Sequence, residues 1–388
     1  MLFRDILGNT EIKNRLVNTV LNNRVSHAQL FLGVEGTEKL SMAIAYSQFI
    51  SCENKQIYGE DSDLIADSCG TCPSCVKYQK LVHPDLHFIF PVATTKRHTS
   101  KPVSSMFMEE WREALIDSNY YLTLNEWYEK IGIENKQGRI GVDDANNIIK
   151  TLGLRSYESE YKVMIIWMVE KLYHAAAPKL LKILEEPPPK TLFLLISENQ
   201  DALLKTILSR VQILKFKAHS DDLIRDYLML NFSLDQKRMD EIIYLSDGLF
   251  SKVLKQVSGV ENELAFFGHF REMMLFAYQN NFVKMREKAN EINGLGREKI
   301  KQLLQYGMRI TRLCLLHDLG SSNLVRSANE ELDFVSKFSR FVNQNNADKI
   351  YKILSEAEYH IARNVNPRIV LLDTMLQSSV ELRRKAKA

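Results

Sequence analysis

The sequence predicts an α/β domain built on a mostly parallel sheet, followed by an all-α half. Three observations carry this. Short apolar or β-branched runs alternate with helical patterns over the first ~215 residues, the signature of strands joined by crossover helices. From about Ala218 the strand-like runs stop, and apolar residues recur only at helical spacing. With 388 residues and ~100–200 residues per domain, there is room for two or three domains, each with its own core.

The first strand is Gln29 to Leu32, which runs into a glycine-containing turn and then a helix from Ser41 to Ile50. The second is Leu86 to Phe90, ended by Pro91; the third is Tyr161 to Trp167, continuous and apolar; the fourth is Leu192 to Ile196. Continuous apolar runs of this kind fit strands buried on both faces. Leu172 to Glu185 reads as a helix stopped by Pro187, Pro188 and Pro189, because proline disfavours the helical conformation in the residue before it. In the second half, Phe266, Phe270, Met273 and Ala277 recur at spacings of 4, 3 and 4, and Leu303, Tyr306, Ile310 and Leu313 at 3, 4 and 3. Both stripes read as core faces of helices. Asp247-Gly248 interrupts the pattern and divides a small bundle, about 218–258, from a larger one, about 262–382. Thr94 to Gly138 breaks the alternation. It is longer than a strand-to-strand connection needs to be, and it carries Trp111, Tyr120, Tyr121, Trp127 and Tyr128. It reads as a surface-packed insertion with a satellite aromatic cluster; stacking of bases on those rings is the other reading.

Lys and Arg number 51 against 48 Asp and Glu, a net charge of +3, too near neutral for a chain that lives by wrapping nucleic acid. No stretch has the ~18 uncharged apolar residues of a membrane span, and the charged N-terminus lacks the apolar region of a signal peptide. A cytoplasmic protein is expected.

Four of the five cysteines, Cys52, Cys69, Cys72 and Cys75, are clustered, which in a reducing compartment indicates a metal site rather than disulfides. Gly70, Thr71, Pro73 and Ser74 are turn-forming residues that let thiolates converge. Four thiolates suit tetrahedral Zn²⁺, and a closed site of this kind is structural. An iron–sulphur cluster is the rival, but Gln79 stands where the next cysteine of a ferredoxin run belongs. Cys314 reads as a buried apolar residue, and no histidine has ligand spacing to the cluster.

The strand–glycine loop–helix segment Gly33-Val34-Glu35-Gly36-Thr37-Glu38-Lys39-Leu40 has the context of a phosphate-binding P-loop. Two positions depart from G-x-x-x-x-G-K-[ST]. Glu38 puts a carboxylate where a glycine lets the backbone approach phosphate, and Leu40 cannot supply the Mg²⁺-binding hydroxyl. The third strand ends in Trp167-Met168, where an ATPase holds Mg²⁺ and polarises water with acidic residues. Arg210, in Leu204-Lys205-Thr206-Ile207-Leu208-Ser209-Arg210, is by itself a surface or capping charge.

Together these segments resemble the delta-prime subunits of bacterial DNA polymerase III clamp loaders, which have the AAA+ fold. The resemblance runs through Phe3-Arg4-Asp5-Ile6-Leu7-Gly8-Asn9, Ser26 to Gly33, the Cys-x2-Cys-x2-Cys module, and His83-Pro84-Asp85. It continues through Ile140 to Leu152, Leu180 to Pro188 and Thr206 to Arg210. Beyond about residue 215 it rests on helical character and Asn366-Pro367-Arg368. It implies a RecA-like α/β AAA+ domain over 1–217 with an embedded four-Cys zinc module (about 52–80) and an insertion (about 94–138). A helical lid (218–258) and an all-α collar domain (259–388) would follow, the collar joining five subunits in a hetero-pentameric ring. The implied partners are the gamma/tau motor subunits and delta, with the sliding clamp and primer-template DNA engaged through the complex. The implied role is clamp loading without ATP hydrolysis by this chain. Arg210, with Ser209 beside it, would reach as an arginine finger into a neighbour's ATP site. The family's Ser-Arg-Cys motif reads Ser209-Arg210-Val211 here, and Ser251, beside Lys252, stands where an ATP-using relative has an arginine for the γ-phosphate. The alternative is an active AAA+ ATPase, the motor subunit of such a loader, with an unorthodox P-loop; Glu38, Leu40, Trp167 and Met168 argue against it.

Overall fold

A computed structural model describes residues 1–59, 63–133, 136–257, 263–320 and 329–383. Helix α1 (Thr10–Leu21) precedes β1 (Ala28–Leu32) and α2 (Lys39–Ser51); β2 (Gln56–Ile57), β3 (Ala66–Asp67) and α3 (Pro73–Gln79) form the cysteine module. Then come β4 (Leu86–Ile89), α4 (Met108–Asp117), α5 (Leu124–Lys130), α6 (Val142–Gly153), β5 (Lys162–Trp167), α7 (Ala177–Glu185), β6 (Thr191–Ser197), α8 (Lys205–Leu208) and β7 (Gln212–Lys215). The rest is helical: α9 (Asp221–Asn231), α10 (Gln236–Ser246), α11 (Phe250–Val257), α12 (Glu263–Tyr278), α13 (Phe282–Asn293), α14 (Arg297–Asp318), α15 (Asn329–Phe338), α16 (Ala347–Ala362) and α17 (Pro367–Leu382). The expected boundary near residue 258 lies outside the described residues, as do 60–62 of the cysteine module and 134–135 of the insertion.

Five strands form one sheet in the order β4-β5-β6-β1-β7, all parallel. The α/β reading holds, and all four predicted strands are present to within about a residue. The sheet has a fifth strand that the sequence does not announce. Among the described residues strand β7 pairs only with β1 and is half exposed, so it lacks the continuous apolar run that marks a strand covered on both faces. Helix α7 starts five residues later than predicted. Leu172 pairs with Ile140 in an isolated parallel bridge, and Tyr173 N–H donates to Ile140 O, drawing the chain out before Ala177 begins the helix.

The chain divides into two compact units: Met1–Ser233 with Asp247–Lys252, and Leu234–Ser246 with Val253–Ala388. In the first, both sheet faces are covered. One face packs with Leu40, Phe49, Phe88, Trp111 and Phe216, the other with Ile148, Leu152, Leu180 and Ile207. The 94–138 segment is part of the first of these cores: Trp111 and Trp127 are wholly buried with Tyr128, Trp111 stacks on Phe90 at 4.1 Å between ring centroids, and Trp127 Nε1 donates to Pro91 O. Its aromatics are packing residues rather than an exposed stacking platform. The second unit has its own core, in which Phe270, Met273 and Ala277 of α12 meet Leu303, Ile310 and Leu313 of α14. Cys314 is buried there, and burial pushes its thiol up to about 12. Between α10 and α11, Asp247 and Gly248 take left-handed backbone angles (φ 50° and 77°). A side chain at residue 248 would run into His219 O at 2.5 Å, which is why glycine stands at this break. Among the described residues no helix is long and apolar enough to cross a membrane.

Candidate functional site

Strand β1 delivers Gly33 to the carboxyl edge of the sheet, where open α/β sheets bind their ligands. Gly33 N–H donates to Ser197 O, and Gly36 (φ +86°) sits so close that a side chain would collide with Ser251 Oγ. The loop's charged groups are all engaged within the chain. Lys39 is buried; its Nζ donates to Val34 O at 2.5 Å and Thr37 Oγ1 at 3.0 Å and lies 3.8 Å from the Glu198 carboxylate. Glu38, also buried, holds His219 Nε2 at 2.6 Å and accepts from Asn9 Nδ2 at 3.0 Å. Leu40 is part of the apolar core.

Glu198, the residue after β6, receives Lys39 from one side, while its own N–H donates to Glu170 Oε1 at 2.9 Å. Burial pushes its carboxyl up to about 8 against the pull of Lys39, and burial lowers Lys39. A polyphosphate arriving here would meet Glu38, Glu170 and Glu198 around one lysine that already donates to its own loop. Trp167 and Met168, at the end of β5, are both buried, with the Trp167 ring 5.1 Å from Trp111. Apolar packing thus fills the end of β5 at Trp167 and Met168. Tyr121, from the insertion, is buried beside the same loop and meets Phe250 at 5.3 Å between rings.

The four predicted cysteines converge. All four Sγ atoms lie within 4.8 Å of one another, and all four residues are buried. Cys52 and Cys69 are 3.7 Å apart and Cys69 and Cys75 3.9 Å. Tetrahedral zinc with ~2.3 Å bonds needs sulphurs ~3.8 Å apart, so the set fits. Backbone N–H groups of Cys69, Thr71, Cys72 and Cys75 point at these sulphurs at 3.3–3.5 Å, an arrangement that favours thiolates. Helix α3 begins at Pro73 immediately after its cap Cys72, and this sharp start brings Cys72 and Cys75 to one side.

Arg210 lies at the opposite edge of the sheet, two residues before β7 and beside His27, which precedes β1. It lines a cleft of about 450 Å³ with His27, Leu184, Glu185 and Ser209. Its Nη1 donates to Thr206 O (2.9 Å) and Ser209 Oγ (3.0 Å), and Nη2 is paired with Glu185. Ser209 Oγ also donates to Thr206 O, so the pair caps the end of α8. The five residues of β1, ~16 Å at 3.3 Å each, separate this cleft from the chain's own glycine loop.

The sequence reading missed Glu198, His219 and Glu185. Glu198 had a usable signal, since a residue directly after a buried strand parallel to β1 reaches the same sheet edge as the loop. His219 and Glu185 had none, being 181 and 25 residues from Glu38 and Arg210 in the chain.

A family model described as DNA polymerase III, delta subunit, matches residues 8–220. Over 214 residues the chain is 28% identical to the DNA polymerase III subunit delta' of Bacillus subtilis, covering 55% of this chain and 49% of the relative. It is 26% identical over 171 residues to that of Haemophilus influenzae, covering 44% and 39%. The chain thus spans about half or less of the length of these relatives. A solved Thermotoga maritima protein described as DNA polymerase III, gamma subunit-related aligns with 95% of this chain and 99% of its own, at 16% identity and a TM-score of 0.42. With the family model covering more than half of its residues, the chain belongs to the DNA polymerase III delta-subunit family of clamp-loader proteins.

Proposed function

We propose that this chain is a non-hydrolysing delta-prime-type subunit of a clamp loader, which assembles with gamma/tau ATPase subunits and delta to load the sliding clamp onto primer-template DNA. The observation that carries the reading is the division of its two phosphate-related elements between opposite sheet edges. Its own glycine loop has Lys39 engaged with Val34 O and 3.8 Å from Glu198, and Glu38 engaged with His219, while Arg210 stands in an open cleft far from that loop. Glu38 and Leu40 make the loop, with Gly33, Gly36 and Lys39, a degenerate Walker A, and with Trp167 and Met168 in place of acidic residues at the end of β5 the chain takes no ATP. Arg210 acts in trans: its planar, permanently charged guanidinium stabilises the charge spreading over the γ-phosphoryl oxygens of a neighbour's nucleotide, and Ser209 fixes its turn. The cysteine module, Cys52, Cys69, Cys72 and Cys75, holds one structural zinc, and its closed set of four thiolates leaves no open position for catalysis. The AAA+ domain over 1–217, lid over 218–258 and collar over 259–388, a hetero-pentameric ring and a cytoplasmic setting complete the reading.

The test is reconstitution with the partner subunits. Arg210→Ala should leave assembly intact, lower DNA- and clamp-stimulated ATP hydrolysis partially, because one of several sites loses its finger, and lower clamp loading more. Arg210→Lys should rescue poorly, since an ammonium lacks the fork. Parent-like behaviour of both variants overturns the trans role, and micromolar ATP binding by the isolated chain in calorimetry moves the reading to an ATPase. Elemental analysis should find one zinc per chain, lost when Cys72→Ser and Cys75→Ser are combined.

A further inference from the structure

The cleft that presents Arg210 already contains an anion. Glu185, the last residue of α7, is paired with Arg210 Nη2, while Thr206 O and Ser209 Oγ hold Nη1. Arg210 Nε is buried without a hydrogen-bond partner among the described residues. The guanidinium is therefore fixed on one side by its own turn and only half used on the other. A carboxylate and a phosphoryl group are both fork-type acceptors for guanidinium, and they compete for the same N–H groups. Glu185 takes Nη2 alone, whereas a phosphoryl group has three oxygens with which to take Nη2 and Nε together. The pair is also open to exchange: the side chains of Arg210 and Glu185 are 34% and 47% exposed. Glu185 and Glu186 close a helix whose C-terminal end favours cations, so Arg210 supplies local compensation that any displacing anion removes.

We infer that Glu185 is a positioning residue that parks the Arg210 guanidinium across the cleft and is exchanged for the neighbour's phosphoryl oxygens when the subunits engage. The inference rests on the trans role of Arg210. Because the exchange accompanies binding, Glu185 sets how readily the cleft accepts its anion rather than the rate of the chemical step. Ion pairs this exposed have modest strength, so releasing Arg210 from its carboxylate should improve engagement two- to five-fold, about 0.4–1 kcal/mol at ~1.4 kcal/mol per decade.

The experiment uses the reconstituted complex with ATP, clamp and primed DNA. Glu185→Gln, which keeps the shape and removes the charge, is expected to lower the KM for ATP two- to five-fold, with the gain on KM rather than kcat. The neighbouring Glu186→Gln should not do so. In an Arg210→Ala background the effect of Glu185→Gln should vanish, because it acts only through that guanidinium. If Arg210→Ala lowers hydrolysis but Glu185→Gln leaves KM unchanged, raises it, or acts equally without Arg210, then Glu185 is a surface or helix-end charge and this inference is wrong while the trans role stands. If Arg210→Ala has no effect, the trans role itself has failed.

Discussion

At the scale of single residues, the glycine loop is governed by how far burial shifts its charges. Burial pushes Glu198 up to about 8, far above the ~4.3 of an unfolded glutamate. Between those values the folded chain holds a proton that the unfolded chain has released, so stability falls as pH rises through the window. Lys39 is lowered by burial and works in the opposite sense at higher pH, where the unfolded chain keeps the proton longer. Glu198→Gln is therefore expected to flatten the decline and to be more stabilising at pH 8 than at pH 5, by roughly 1–3 kcal/mol. Urea unfolding at the two values checks this; parallel profiles for parent and variant would show that Glu198 does not titrate in that range.

At the scale of elements, the described part of the 94–138 segment packs on one face of the sheet. Trp111 of α4 touches Phe90, Phe88, Trp127 and Trp167 with ring centroids 4.1–6.0 Å apart, so it ties the insertion to β5. Trp111→Ala should cost about 3–5 kcal/mol, because it removes a buried aromatic from a site whose neighbours are locked by other rings. Trp111→Phe should cost less than half of that, since it keeps most of the packing and removes an indole N–H that has no partner among the described residues. Denaturant midpoints at constant slope distinguish the two. Equal losses would mean that the indole shape, rather than apolar volume, is what the cluster requires.

For the whole molecule, the two units have separate cores, and all four clustered cysteines belong to the first. Cooperative unfolding follows the core, and a chain with two cores need not melt in one step. Calorimetry should show two transitions, and a zinc chelator should lower only one, because structural zinc contributes its binding energy to the part that holds it. A single transition that moves as a whole on chelation would show that the units unfold together. Cys314, buried in the second core with its thiol pushed up to about 12, should resist thiol reagents until the second unit melts and so reports that unit separately.

Periodicity and spacing by themselves determined the parallel α/β half, its four most buried strands, the helical stripes behind it and the cysteine set. Each of these is a local pattern: a strand covered on both faces reads as one apolar run, and Cys69, Cys72 and Cys75 are brought together by one turn and the start of α3. The departures from the P-loop pattern at Glu38 and Leu40, and the apolar Trp167 and Met168, were equally legible, because residue types are read directly from the sequence. Only the tertiary structure decided the edge strand β7, whose half-exposed residues carry no clear period, and the short β2–β3 pair, held by two residues on each side. It also decided which partners the charges take. Lys39 with Glu198, Glu38 with His219 and Arg210 with Glu185 are separated in the chain by 159, 181 and 25 residues. Parallel crossovers bring such residues to a common sheet edge, and ion pairing across that distance follows from topology, which no local pattern encodes.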